Sequence, residues 1–282
     1  MSKYIAFQGE LGANSHMAAL NARPEYIPLP CQTFEDAFSA VIDGKADLAM
    51  IAIENTLAGR VADVHHLLPQ SGLFIIDEYF APIHHQLVGA KGAKIGDVKH
   101  IRSHPMALGQ CRKIIAELKA TPIVTADTAG AVREIAQLDD KSHACLGTAL
   151  AARDYDLPIL RADVEDAKHN ATRFVILAAN ADDAAFVDDG RKYITSLVFR
   201  VRNIPAALYK AMGGFATNGV NMTKLESYQI GGSFNATQFY ADIEGHPDQR
   251  NVQLALQELR FFAADLTVLG IYHAHEFRSR VV

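Results

Sequence analysis

Neutral polar side chains gather at the ends of apolar runs, and such positions can do chemistry in an α/β protein. Ile53-Glu54-Asn55-Thr56 follows the apolar run that starts at Leu48, and open α/β sheets take ligands at the carboxyl ends of their strands. Ser103-His104-Pro105 sets a hydroxyl beside a helix start, with the Gln110 amide one to two turns on. Asn170-Ala171-Thr172-Arg173 places an amide, a hydroxyl and a guanidinium just before an apolar strand from Phe174. Each alone reads equally as a cap or a polar strand end. Together, neutral donors and one arginine suit a cleft for a small anion, and no spacing rule names the reaction. The turn Gly9-Glu10-Leu11-Gly12-Ala13-Asn14-Ser15 opens a helix after the first strand. Helix starts offer free N–H groups to anions, although Ser15 as a plain N-cap is the simpler reading. Twelve histidines invite a metal, but His65-His66 and His84-His85 are adjacent pairs whose rings point apart. His273-x-His275 stands without an obvious carboxylate or cysteine partner. The expectation is no metal and no cofactor, since no zinc, phosphate-loop or dinucleotide motif is present.

Elements must hold these residues in place. The first half alternates strands and helices: strands at 4–7, 48–53, 74–76, 86–89, 123–124, 143–146 and 174–178, helices at 15–22, 34–42, 106–118, 129–138 and 148–155. Strands separated by helices predict an α/β domain with a mainly parallel sheet. The Leu48–Ile53 run, apolar throughout, fits a strand buried on both faces. Residues 179–192 turn acidic and small, as a linker would. Beyond them, strands at 193–201, 221–229, 236–243 and 266–272 and helices at 206–215 and 248–262 follow in the order βαββαβ, a ferredoxin-like module. Pro205 suits a helix start, and Gly231-Gly232 the hairpin turn.

The balance of 27 Lys and Arg against 32 Asp and Glu leaves a net charge of −5, too acidic for a nucleic-acid or membrane-surface binder. Apolar runs fall far short of the roughly 18 residues a spanning helix needs. Cys31, Cys111 and Cys145 stand far apart, without disulfide or zinc spacing. A cytoplasmic protein is expected.

The motifs carry a family resemblance. Asn170-Ala171-Thr172-Arg173-Phe174 resembles the N-x-T-R-F signature of prephenate dehydratases. Ala46-Asp47 through Ile53-Glu54-Asn55-Thr56-Leu57-Ala58-Gly59 and Ser103-His104-Pro105-Met106-Ala107-Leu108-Gly109-Gln110-Cys111 are similar to that family's further segments, with Thr125–Ala131 and Val164-Glu165-Asp166 in family order. The match spans residues 4 to about 178 and is to the monofunctional form; residues 193–275 resemble an ACT regulatory domain. Departures are Glu10, Ala13-Asn14, Ala52, Ala206 and Tyr228-Gln229, where the family carries Pro, Thr-Phe, Pro, Gly and Arg-Pro.

The resemblance implies a two-lobed, periplasmic-binding-protein-like catalytic domain at 1–178, its second lobe at about 80–165, then the linker and the ACT domain. It implies conversion of prephenate to phenylpyruvate, water and carbon dioxide. Thr172, Arg173, Asn55, Ser103 and Gln110 would be the catalytic set, with Arg173 either clamping a carboxylate or organising the groups that do, and Phe174, Glu54 and Thr56 would bind substrate. L-Phenylalanine would act as effector at Asn203, Ala206, Ala207, Leu208, Asn221, Leu225, Glu226 and Ser227. A homodimer or homotetramer is implied. Arogenate is the rival substrate, and a non-catalytic two-lobed sensor the rival class.

Overall fold

A computed structural model describes residues 2–202, 204–229 and 236–279. The chain opens with β1 (Tyr4–Gln8), α1 (Asn14–Ala22), β2 (Ile27–Cys31), α2 (Phe34–Ile42), β3 (Leu48–Asn55), β4 (Gly59–Arg60), α3 (Ala62–Leu67) and β5 (Phe74–Pro82). Helix α2 starts at a capping box in which Thr33 and Asp36 satisfy each other's backbone N–H groups. Ala37, Phe38, Ala40 and Val41 form its buried stripe. The first sheet runs β2-β1-β3 and then to β11 (Ala171–Ala178) and β5. Strand β2, not expected from the sequence, carries Pro28 and Pro30, residues that disfavour a strand interior. It lies on the sheet edge, parallel to β1, where Pro positions need no inward N–H.

Next come β6 (Gln86–Gly89), β7 (His100–Ser103), α4 (Pro105–Gln110), α5 (Arg112–Glu117), β8 (Thr121–Val124), α6 (Thr128–Leu138), β9 (His143–Gly147), α7 (Ala149–Asp154) and β10 (Ile159–Arg161). They build a second sheet in the order β10-β6-β9-β7-β8. It is mixed, with β6–β9 and β10–β6 antiparallel and β7 parallel to β8 and β9. Alternation splits its core between two faces: Leu87, Ile101 and Leu146 pack with Ile114, and Val88 and Cys145 pack with Val132 and Ile135. The helix expected over 106–118 breaks at Cys111. There the Asp166 carboxylate accepts the N–H groups of Arg112 and Lys113, capping a second helix in place of continuing the first.

Contacts divide the chain into two units, Met1–Val64 with Tyr79–Phe174, and His65–Glu78 with Val175–Val282. The second unit contains β12 (Tyr193–Val201), α8 (Ala207–Thr217), β13 (Met222–Gln229), β14 (Ala236–Glu244), α9 (Arg250–Phe262) and β15 (Ala263–His273). Its sheet order β13-β14-β12-β15 is antiparallel throughout, the ferredoxin-like βαββαβ arrangement. One face buries Leu197, Phe199, Ala241 and Ile243 beneath α8 and α9. The other carries buried Asp242, which accepts hydrogen bonds from Ser196 and Tyr240. Within the same unit, Glu78 has a fully buried side chain paired with Arg278 (2.6 Å to Nε), which ties segment 65–78 to the short helix at Glu276–Ser279. Residues 179–192 are not a loose tether: Ala184 N–H donates to Ile271 O on edge strand β15, and Asp183 accepts Ile271 N–H. The Gly231-Gly232 turn lies outside the described residues. No helix among those described is long and apolar enough to cross a membrane.

Candidate active site

A cleft of about 310 Å³ opens in the first unit between its two sheets. From the first sheet come the end of β1 (Gln8, Gly9), the start of α1 (Ala13–Ser15), Asn55 of β3 and Thr172 and Phe174 of β11. From the second come His104, Met106 and Gln110 around α4, Asp127 and Thr128 at the start of α6, and His85 from the β5–β6 connection. Neither lysine nor arginine is among the described residues that line it. Helix starts must therefore supply much of any attraction for an anion. Ala13, the N-cap of α1, has no side-chain cap, so the first N–H groups of that helix remain open to a ligand.

Strand geometry sorts the signature residues. Thr172 and Phe174 share the cleft face of β11, and Arg173 between them turns away. Arg173 is 2% exposed and its Nη1 lies 2.9 Å from Glu54 Oε1. Neither Arg173 nor Glu54 is among the cleft-lining residues, so a carboxylate clamp at Arg173 does not fit this geometry. Ser103 is also displaced from the expected role: it is fully buried, and its Oγ donates to Leu146 O. Thr56 accepts Ala171 N–H and donates to His169 O, bracing the strand end.

Asn55 is the hub. Its Oδ1 accepts the backbone N–H groups of Leu57 and Ala58 (2.9 and 2.8 Å). Its Nδ2 lies 3.0 Å from Thr172 Oγ1, 2.8 Å from Asn170 Oδ1 and 3.1 Å from Ala171 O. Asn170 Nδ2 reaches Gln110 Oε1 at 3.0 Å, and His85 Nε2 reaches the same oxygen at 2.9 Å. Thr172 accepts from Asn55 with one of its lone pairs, and its O–H is available to donate into the cleft that it lines.

Three features lay beyond sequence reasoning. His85, buried at 3% exposure, faces the cleft beside Gln110; burial first of all holds its imidazole below the ordinary value. Its neighbour His84 instead contacts Glu165 (3.0 Å). Burial would raise the Glu165 carboxyl, but the His85 N–H and the His84 ring outweigh it and hold it below its usual range. Secondly, Glu10 grips Arg133 of α6 with both oxygens (2.6 and 2.7 Å), linking the two sides of the cleft. Beside that pair Thr148 Oγ1 donates to Gly12 O. Thirdly, His84, Asp163 and Glu165 are close enough for their ligand atoms to meet a cation, yet Lys168 and Gln86 already attend the two carboxylates. Residues about 80 apart in sequence give no spacing signal for such a group.

In the second unit the expected effector residues separate. Leu208 packs against the helix-side core, and Leu225, opposite Ala241, faces that side. Glu226, opposite Tyr240, faces the other side, where Lys224 pairs with it at 3.2 Å. Ala206 stands at φ +60°, just before α8. Ala207 is buried within α8, and Asn221 and Ser227 are exposed. Asn203 lies outside the described residues.

Two lobes around a cleft of neutral donors, followed by a ferredoxin-like module, define an α/β enzyme with an appended small domain. Comparison supplies the family. The prephenate dehydratase model matches residues 5–182, and the chain belongs to that family. It is 50% identical over 278 residues to the bifunctional N-acyl-homoserine lactone acylase/prephenate dehydratase of Komagataeibacter europaeus, covering 99% of this chain and 98% of that one. It is 35% identical to arogenate dehydratase/prephenate dehydratase 1, chloroplastic, of Arabidopsis thaliana, covering 95% of this chain and 71% of the relative. A solved structure of prephenate dehydratase in complex with L-Phe from Arthrobacter aurescens superposes with a TM-score of 0.87 at 27% identity, covering 96% and 90% of the two chains.

Proposed function

We propose that this chain converts prephenate to phenylpyruvate, with loss of water and carbon dioxide. The observation that carries the reading is the Thr172 hydroxyl, which lines the cleft and accepts from Asn55, so that its O–H is available to the substrate. The bond from the ring to its carboxylate breaks, its electron pair completes the aromatic ring, and the ring hydroxyl leaves. One proton is taken up to make water. A hydroxyl is a weak general acid near neutral pH, so Thr172 acts as a hydrogen-bond donor to the departing oxygen while solvent supplies the proton. Such a donor stabilises charge where it develops. The α1 start and the Gln110 amide hold the carboxylates. Aromatisation supplies the driving force, and nothing in the step calls for a strong acid.

The second unit is proposed to be an ACT-type regulatory module that binds L-phenylalanine in a homodimer or homotetramer, in the cytoplasm. Its topology and the L-Phe complex of the Arthrobacter relative support this. The assay offers prephenate and arogenate separately and follows phenylpyruvate and phenylalanine, with and without added L-phenylalanine. Turnover of prephenate, inhibited by the amino acid, is expected; no turnover of either substrate overturns the lyase reading. A second reading has one support, the half-identical acylase/dehydratase relative aligned over nearly the whole chain. Incubation with an N-acyl-homoserine lactone tests it: release of the free amine adds an amidase activity, and an uncleaved amide bond removes it.

A further inference from the structure

We infer that His85 is a positioning residue: its Nε2–H closes the far end of the amide chain behind Thr172, and so holds the Gln110 amino group toward the substrate. The inference rests on the dehydratase reading for its kinetic part and on geometry alone for its tautomer.

The direction of the chain is dictated from one end. Two backbone N–H groups, of Leu57 and Ala58, close on the same side-chain atom of Asn55, which must be its oxygen. The Asn55 amino group then faces Asn170 at 2.8 Å, so the atom it meets there must be an acceptor, Oδ1. That leaves the Asn170 amino group toward Gln110 at 3.0 Å, where again only an oxygen satisfies it. The last neighbour of this Gln110 oxygen is His85 Nε2 at 2.9 Å. An oxygen already serving one donor is satisfied here only by a second donor, so His85 carries its proton on Nε2.

The alternative arrangement fails inside a dry wall. With the proton on Nδ1, the Nε2 lone pair would oppose the Gln110 oxygen. Rotating the Gln110 amide relieves that contact but sets amino group against amino group at Asn170. Rotating Asn170 as well passes the conflict to Asn55, which the backbone does not allow to turn. Asn170 is 2% exposed and His85 3%, so a mismatch at either leaves a buried polar group unmatched, which is costly. Burial also keeps His85 from gaining a second proton easily. With Nε2–H in place, both Gln110 amino hydrogens are left for the cleft, which Gln110 lines.

The test uses the full chain. His85→Gln carries an amide N–H that can occupy the Nε2 position, and His85→Leu has no donor. On prephenate, His85→Leu is expected to lower kcat by roughly 10- to 100-fold with a smaller change in KM, as loss of an aligned transition-state donor does. His85→Gln should recover most of that loss. Equal losses in both variants, or full activity in His85→Leu, overturn the role. Histidine-selective nitrogen NMR of the unsubstituted protein gives an answer even if a variant does not fold: a protonated Nε2 and a bare Nδ1 on His85 are expected, and the reverse overturns the inference. If the unsubstituted protein turns over neither prephenate nor arogenate, the dehydratase reading falls, and the tautomer still decides this one.

Discussion

Thr172 lines the cleft and accepts from Asn55, which leaves its O–H to donate to a bound substrate. Removing the hydroxyl therefore leaves the site built but without its donor. Thr172→Ala is expected to lower kcat by roughly 10²–10³, about 2.7–4 kcal/mol of barrier, with KM little changed; steady-state kinetics on prephenate check this, and wild-type turnover would remove Thr172 from the mechanism. Asn55, Gln110 and Thr172 were legible because each sits at a strand or helix end, where α/β sheets take ligands. Of the two roles read for Arg173, the clamp does not fit the fold, for a definite reason. A strand read from Phe174 leaves 172 and 173 in a loop, whereas β11 begins at Ala171 and alternation sends them to opposite faces. His85 was hidden by its twin: in His84-His85 the spacing says only that the rings diverge, not that one meets a cleft. Histidines also set the response to acid. Burial foremost lowers His16, His85 and His143, so the unfolded chain takes up protons first as pH falls below about 6.5. Their contribution to stability is complete above that pH and is lost progressively below it. The urea midpoint should fall from pH 7.5 to 5.5; a flat profile would contradict the burial of these rings.

At the level of elements, the cleft depends on turns that bring helix starts to it. Gly12 adopts φ +88°, and a Cβ there would lie 2.7 Å from that of Ala151 on α7. Gly12→Ala is thus strained twice, by conformation and by contact, and should cost about 1–3 kcal/mol, read as a lowered urea midpoint. Ala206 presents the opposite opportunity. It holds a left-handed conformation, φ +60°, that favours glycine, where the family has glycine. Ala206→Gly should stabilise by about 1 kcal/mol; a lower melting temperature would show that the methyl is compensated by packing. Most helices and strands were readable from their periodicity, as was the βαββαβ order, but the short elements α3, β7 and β10 were not. The break at Cys111 was not, because its cause is the carboxylate of Asp166, which stands 54 residues from Arg112. Strand β2 was not read either; only its edge position makes its prolines harmless.

Over the whole molecule, sequence order misleads about membership. Segment 65–78 groups with residues beyond 175, and Glu78 meets Arg278 across 200 positions; no local pattern announces a partner so distant. The cation-free lining of the cleft has a consequence for how substrate arrives. A dianion approaching a chain of net charge −5 meets repulsion at long range, with no lysine or arginine among the described lining residues to gather it in. Added salt shortens the reach of that repulsion, from about 30 Å at 0.01 M to about 10 Å at 0.1 M. The second-order rate kcat/KM for prephenate should therefore climb as ionic strength rises over that interval, where enzymes that steer anions with fixed positive charge slow down. A falling rate would reveal a basic approach path to the cleft. Encounter, on this account, is slowest in dilute buffer and quickens as salt is added.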